Sequence, residues 1–280
     1  MNQKKNSKFL SPYRQDLIAE LVDIIYEDYS VEYNIDPLMI LSDNNISISH
    51  GHYKDAFDGL LELKKRKFHI YCNIDRLEGP NTPRTKFTIA HELGHYFIPE
   101  HREALLSGLV QEHCSFTNFQ SLNPVEKEAD YFASLLLLPA DKIKNVIRKK
   151  KPGFEAIKAI ADIFGTSWSS SAARYVSITT TPCILIKWSH EGYCWKQISP
   201  SFYEKGFRKT IESLDDIKKG SATLKALEGI PAEEGFHWNG TVASEWFPFI
   251  KRGFFNDNII EEQAISLGRF GALTLIIDNN

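Results

Sequence analysis

Cysteine is scarce in this sequence and poorly placed for cross-linking. Its four cysteines, Cys72, Cys114, Cys183 and Cys194, are scattered with no CxxC pair, which argues against both a disulfide framework and a thiolate zinc site. Long apolar runs are missing too: Met1 is followed by Asn2, Gln3, Lys4, Lys5 and Asn6, and no stretch has signal-peptide or membrane-spanning length. The expectation is a soluble, unexported, cytoplasmic chain with no membrane partner. There is no excess of positive charge, since 33 Lys and Arg stand against 36 Asp and Glu, with a formal net charge of -3. Such a balance gives no overall field to draw nucleic acid. Internal repeats and low-complexity segments are also absent. What remains is an ordinary globular composition, 42% hydrophobic and 25% charged over 280 residues, long enough for one large or two modest domains.

Apolar periodicity predicts the elements. Leu17, Ile18, Leu21, Val22, Ile25 and Tyr29 recur at helical spacing, predicting a helix from about Tyr13 to Glu32. From Met39 to Asn73 the period changes to that of short antiparallel strands, with Leu60 to Leu63 and Phe68 to Cys72 flanking a charged turn. Thr82 before Pro83 is a helix start, and Pro99 marks the end of that helix. A polar, irregular region from His101 to Leu122 comes next. Asn123-Pro124 then opens a helix that stops at Pro139, and Asp141 begins another. Phe154 to Phe164, a Gly165 cap and Ser167 to Val176 resemble a helix-turn-helix in outline. After Pro182 the character is that of strands, with a hairpin of Cys183 to Trp188 and Tyr193 to Ile198, further strands at Thr241 to Ile250 and Ala272 to Ile277, and a helical interlude from Tyr203 to Leu227. The fold class expected is α+β, in three parts: 1–140 mostly helical with a small antiparallel sheet, 141–180 helical and helix-turn-helix-like, and 181–280 a C-terminal α+β domain.

The chemistry centres on His91-Glu92-Leu93-Gly94-His95, an HExxH pentapeptide inside the predicted 83–98 helix. Imidazoles four residues apart stand one turn above each other, so both can reach one ion. A catalytic zinc needs a third protein ligand and an open position, and a carboxylate from a second helix is one solution. Glu126 occupies such a place on the helix that begins at Asn123, although as the third residue after Asn123 it could equally complete a capping box. Glu128 competes as a ligand but points roughly 200° away from Glu126 around the helix. Asp130, one turn beyond Glu126, could accept the outer N–H of a ligand histidine and fix its tautomer. Glu92 would be the catalytic base.

These blocks have a wider resemblance. Arg84-Thr85-Lys86-Phe87-Thr88-Ile89-Ala90 leading into the pentapeptide, joined to Glu126-Lys127-Glu128-Ala129-Asp130-Tyr131-Phe132-Ala133-Ser134-Leu135-Leu136-Leu137-Leu138-Pro139, resembles the ImmA/IrrE family of bacterial metallo-endopeptidases. The resemblance covers about residues 10 to 180. It implies a zincin-like metallopeptidase domain over 1–140, zinc on His91, His95 and Glu126, Glu92 as general base, and a helix-turn-helix transcriptional repressor as the substrate, in settings such as stress response or mobile-element induction. Leu138 stands where methionine is common and Asp130 where asparagine is common. The family's frequent histidine after HExxH is matched only loosely, by His101.

An oxyanion donor beside the metal is expected, and Tyr96, His101 and His113 are the candidates, with Tyr96 also suited to packing. Phe68 to Asn73 is the expected strand for aligning an extended substrate. The alternative function is a non-hydrolytic zinc-containing regulator that binds a repressor or DNA. DNA binding by this chain is not expected, because Ser167 to Val176 offers only Arg174 as a cation. Trp188, Trp195, Trp238, Trp246, Phe247 and Phe249 could line a sensory pocket, or simply form a core.

Overall fold

The computed structural model describes residues 10–109, 112–115, 123–205, 209–247 and 259–279, with backbone alone at 112–114. The fold is α+β. Helices α1 (Pro12–Tyr29) and α2 (Pro37–Asp43) enclose the short pair β1 (Ser30–Val31) and β2 (Asn34–Ile35). Strands β3 (Ser47–Gly51), β4 (Gly59–Lys64) and β5 (Lys67–Asn73) follow, then α3 (Ile74–Leu77), α4 (Pro83–Phe97), α5 (Pro99–Leu106) and β6 (Glu112–Ser115). Next come α6 (Pro124–Leu137), α7 (Ala140–Ile147), α8 (Phe154–Phe164) and α9 (Trp168–Ile178). The remainder is β7 (Cys183–Ser189), β8 (Gly192–Ile198), α10 (Pro200–Glu204), α11 (Ala222–Leu227), β9 (His237–Val242), α12 (Ala243–Trp246), β10 (Ile259–Ser266) and β11 (Ala272–Ile277). No helix among the described residues is long and apolar enough to cross a membrane.

The chain divides into two compact units, Met1–Lys142 with Asp162–Ser167, and Ile143–Ala161 with Trp168–Asn280. The helices expected as a separate 141–180 segment therefore belong mainly to the second unit.

In the first unit α6 packs against both α1 and α4, and α4 lies on β4 and β5. The core between them is Ile18 and Val22 of α1, Ile89, Ala90 and Leu93 of α4, and Phe132, Ala133 and Leu136 of α6, over Leu61 and Ile70 of the sheet. Each of the two site-bearing helices starts where its capping pair predicts. The Thr82 side chain accepts from the Thr85 N–H at 3.1 Å and that of Asn123 from the Val125 N–H at 3.1 Å, each satisfying a donor the helix cannot satisfy itself. The sheet runs β3-β5-β4-β6. Lys65 and Arg66, both left-handed at φ 51° and 63°, make the two-residue turn between β4 and β5 that matches strand twist.

Three expectations change here. Leu38 to Leu41 lie in α2, where Asp36 caps the Leu38 N–H at 3.0 Å. Strand β3 pairs with β5 in parallel rather than antiparallel, because β4 runs back one strand further out and β5 then returns between β4 and β3 in the direction of β3. Most consequentially, β5 is interior, flanked by β3 and β4, so its backbone groups are committed and Phe68 to Asn73 cannot align a substrate. The edge beside β4 is β6, in the region expected to be irregular.

The second unit is built on an antiparallel sheet in the order β8-β7-β11-β10-β9. The 183–198 hairpin forms as expected. The strand expected at 241–250 instead runs His237–Val242 and turns helical at Ala243, and residues 248–250 lie outside the described ones. Trp188, Trp246 and Phe247 are fully buried with Ile184, Ile186 and Ile276, so these aromatics form core. Trp238 is exposed, and Phe249 lies outside the described residues. Helix α9 packs on β7 and β8 through buried Ala172, Tyr175 and Val176.

Candidate metal centre

The pentapeptide sits in the most enclosed stretch of α4, where every residue from Phe87 to Tyr96 is buried. Helical spacing stacks the two imidazoles, and their Nε2 atoms lie 3.1 Å apart. Glu126, in the first turn of α6, faces both, with Oε2 at 3.4 Å from His91 Nε2 and Oε1 at 3.6 Å from His95 Nε2. One donor atom from each of the three lies within 4.8 Å of the others. Placement at a helix N-terminus also favours the carboxylate's negative charge.

Gly94 makes this convergence possible. A Cβ there would meet the Ala129 Cα at 3.1 Å and the Phe132 ring at 3.2 Å, closer than side chains normally pack. With glycine on α4 and alanines at 129 and 133, the two helices approach closely enough for Glu126 to span the gap.

Asp130 lies one turn beyond Glu126, with its Oδ1 2.9 Å from His91 Nδ1. A carboxylate there holds the outer proton of the imidazole and leaves Nε2 free to ligate. Burial pulls the His91 imidazole toward its neutral form, but Asp130, Glu126 and the charge of Glu92 reverse this and push its pKa up to about 10. The cage therefore attracts positive charge.

Glu92 has no exposed surface, and neither of its oxygens finds a hydrogen-bond donor among the described residues. Burial pushes its carboxyl up to about 7, opposed by the His91 charge and the nearby Ser115 hydroxyl and assisted by Glu126. The Thr88 and Ser115 hydroxyls are likewise buried without a partner among the described residues. All three groups meet at the start of β4, where a Cβ on Gly59 would lie 2.5 Å from Glu92 Oε1 and 2.5 Å from Thr88 Cγ2, and Ser115 pairs with Gly59. Buried polar atoms are nearly always satisfied, and a cluster that is not marks a place for water, ion or substrate. With two imidazoles and a carboxylate as donors, the residues present fit a divalent ion of the zinc type. Cys72, buried nearby, has its thiol pushed up to about 12 by burial and then by the charge of Glu92, so it stays protonated and offers no thiolate.

The other sequence candidates are placed differently. The Tyr96 ring packs edge-on against Phe68 at 5.0 Å with the Arg102 guanidinium 4.4 Å over its face, a packing role. His101 is not free to act as an oxyanion donor, because its Nδ1 lies 3.1 Å from His95 Nδ1 and its Nε2 lies 3.0 Å from Glu128 Oε2. Glu128 faces away from the cage, as its position around the helix required. The side chain of His113 lies outside the described residues. Sequence reasoning missed Gly59, Thr88 and Ser115, whose only link to Glu92 is spatial.

These features define a metallopeptidase-like protein, with a donor cage on two crossed helices and a buried carboxylate beside it. Residues 80–186 match the family model Peptidase_M78, the IrrE N-terminal-like domain, and over that segment the chain is similar to the ImmA/IrrE family. No curated protein matches the sequence. Among solved structures the fold is similar to that of a Mycobacterium tuberculosis transcriptional regulator, with a TM-score of 0.57 and 11% identity, covering 95% of this chain and 78% of that one.

Proposed function

We propose that this protein is a zinc-dependent endopeptidase that hydrolyses a peptide bond in a protein substrate, a transcriptional repressor of the helix-turn-helix type. The observation carrying the reading is that His91, His95 and Glu126 bring three donor atoms within 4.8 Å while Glu92, one residue from a ligand, is buried with unclaimed oxygens among the described residues. A purely structural metal site has no use for such a carboxylate.

Zinc, when bound, supplies Lewis-acid polarisation of the scissile carbonyl and acidifies water. Glu92 takes the proton of the attacking water on its carboxylate and later hands it to the leaving amine. Its raised pKa suits both halves of that exchange, since a group near the working pH gives up a proton as readily as it takes one. Asp130 holds His91 in the tautomer that presents Nε2. Strand β6, the last in the strand order of its sheet, would align the substrate by main-chain pairing, and Thr88 and Ser115 would meet polar groups brought in with it. We assign no DNA contact to α9, whose Ser171, Ala172, Tyr175 and Val176 are buried.

Purified protein incubated with candidate repressors, in parallel with Glu92→Gln and His91→Ala, tests the reading. Expected are cleavage only by the unaltered chain, stoichiometric zinc in the Glu92→Gln protein, and none in His91→Ala. A Glu92→Gln protein that cleaves at full rate would refute the assigned base. Tight repressor binding without hydrolysis would favour a non-catalytic regulator.

A further inference from the structure

The two ligand histidines are supported differently. His91 donates directly to the Asp130 carboxylate, with Nδ1 and Oδ1 at 2.9 Å. His95 Nδ1 lies 3.1 Å from Nδ1 of His101, a buried residue on α5. The far nitrogen of that ring, Nε2, lies 3.0 Å from Glu128 Oε2. Glu128 is in turn gripped by Arg14 of α1, whose Nη2 is 2.6 Å from the same oxygen, and Arg14 also holds both oxygens of Glu100 at 2.9 Å.

Donor and acceptor roles along this chain are not independent. A carboxylate paired with a guanidinium accepts, so His101 donates from Nε2. A neutral imidazole with its proton on Nε2 has a bare lone pair on Nδ1 and can only accept there. His95 must then donate from Nδ1, which leaves its Nε2 lone pair free, and that is the nitrogen facing Glu126 and His91. The far end of the relay thus selects the tautomer at the cage.

We propose that His101 and Glu128, anchored by Arg14, are positioning residues that hold His95 in its metal-binding tautomer. This inference rests on the proposed metal site and adds two things to it. It assigns a role to Glu128, which cannot reach the cage from its side of α6. It also makes α1, which lies before the matched 80–186 segment, a working part of the metal centre. His101 is needed because Glu126 and Glu128 face different sides of α6: one carboxylate serves as ligand, and the other reaches the second histidine only through an intervening ring.

The test is zinc affinity, measured by competition with a chelator, together with the ¹⁵N and ¹H resonances of the imidazoles in the zinc-loaded full chain. The unaltered protein should bind one zinc and display a slowly exchanging Nδ1–H on His95. Removing an outer partner of a ligand histidine typically weakens metal binding 10- to 100-fold, so His101→Ala should fall in about that range and lose the His95 signal. His101→Asn, which keeps an acceptor near the position of Nδ1, should recover part of both. Arg14→Met, at a partly exposed site one step further from the ring, should weaken zinc binding by less, roughly severalfold by the same reasoning. A merely structural role would lower stability with zinc affinity and the His95 tautomer unchanged. That result in His101→Ala, or in Arg14→Met should His101→Ala not fold, would overturn the relay and leave the metal site standing. An unaltered chain that binds no zinc would overturn both.

Discussion

Two fully buried glutamates, one in each unit, have opposite surroundings. Glu262 on β10 accepts from the Thr223 N–H at 2.9 Å and from its hydroxyl at 2.6 Å. Thr223 is bonded in turn to Thr274 at 2.7 Å, and Thr274 accepts from the Trp188 indole at 3.1 Å. Every donor in that chain has somewhere to go, and the network ties α11 to β10, β11 and β7 of the sheet. Glu92 on α4 has comparable burial and none of this support among the described residues, and the hydroxyls nearest to it share the deficit. A buried carboxylate left unsatisfied costs stability. The fold tolerates this at Glu92, beside the cage, while satisfying its carboxylate in the other unit. On the proposed function, the difference separates a group kept for chemistry from one kept for architecture.

Substituting each glutamate should break the comparison in opposite ways. Glu92→Gln should reduce the turnover of repressor cleavage about 10²- to 10⁴-fold, the usual worth of a general base, with zinc retained and with metal-free stability unchanged or improved. Glu262→Ala should leave turnover alone and lower stability by roughly 1–3 kcal/mol for each Thr223 donor left bare, read from urea unfolding. If Glu262→Ala unfolds no more easily than the unaltered chain, the architectural reading of its network is wrong.

A smaller effect sharpens the geometry. Gly59→Ala would place a methyl 2.5 Å from Glu92 Oε1 and force the carboxylate aside, so turnover should drop about 10-fold for a displacement of that kind while zinc content stays the same. Equal turnover would mean that Glu92 need not occupy the position seen here.

The smallest effect is on pH dependence. In chelator-treated protein His91 is raised to about 10 from an ordinary 6.5, so its stabilising contribution is complete below pH 6.5 and lost as pH climbs through 10. Glu92 is raised to about 7 from 4.5, so folding favours its neutral form and stability also falls as pH rises between those values. The Tm of the metal-free chain should therefore decline from pH 5 to pH 10. Zinc affinity should rise over the same range, because binding displaces the proton that His91 holds. A metal-free Tm that climbs with pH would contradict the acidic character of the cage.

The legibility of the sequence followed the range of each interaction. Thr82-Pro83 and Asn123-Pro124 announce α4 and α6 because capping acts within a few residues, and the Cys183 to Ile198 hairpin is legible for the same local reason. The spacing of the pentapeptide put His91 and His95 on one face, and Glu126 and Asp130 fall where one helical turn would bring them. The pairing of β6 with β4 and the parallel match of β3 with β5 were illegible, because strand partners are chosen by tertiary packing. Helix α2 carried a local signal, Asp36-Pro37, outweighed by the apolar residues that follow. His101 was visible only as an oxyanion-donor candidate and a loose match to the family's histidine after HExxH, and its contacts with His95 and Glu128 arise from the turn at Ile98-Pro99 folding α5 back toward α6.

X-ray absorption at the zinc edge of the metal-loaded chain tests the central claim most directly. A single zinc surrounded only by nitrogen and oxygen at about 2.0–2.2 Å, with the scattering signature of two imidazoles and loss of the metal in both His91→Ala and His95→Ala, is the predicted result. A sulfur shell near 2.3 Å, or zinc retained with an unchanged spectrum after either substitution, would contradict it.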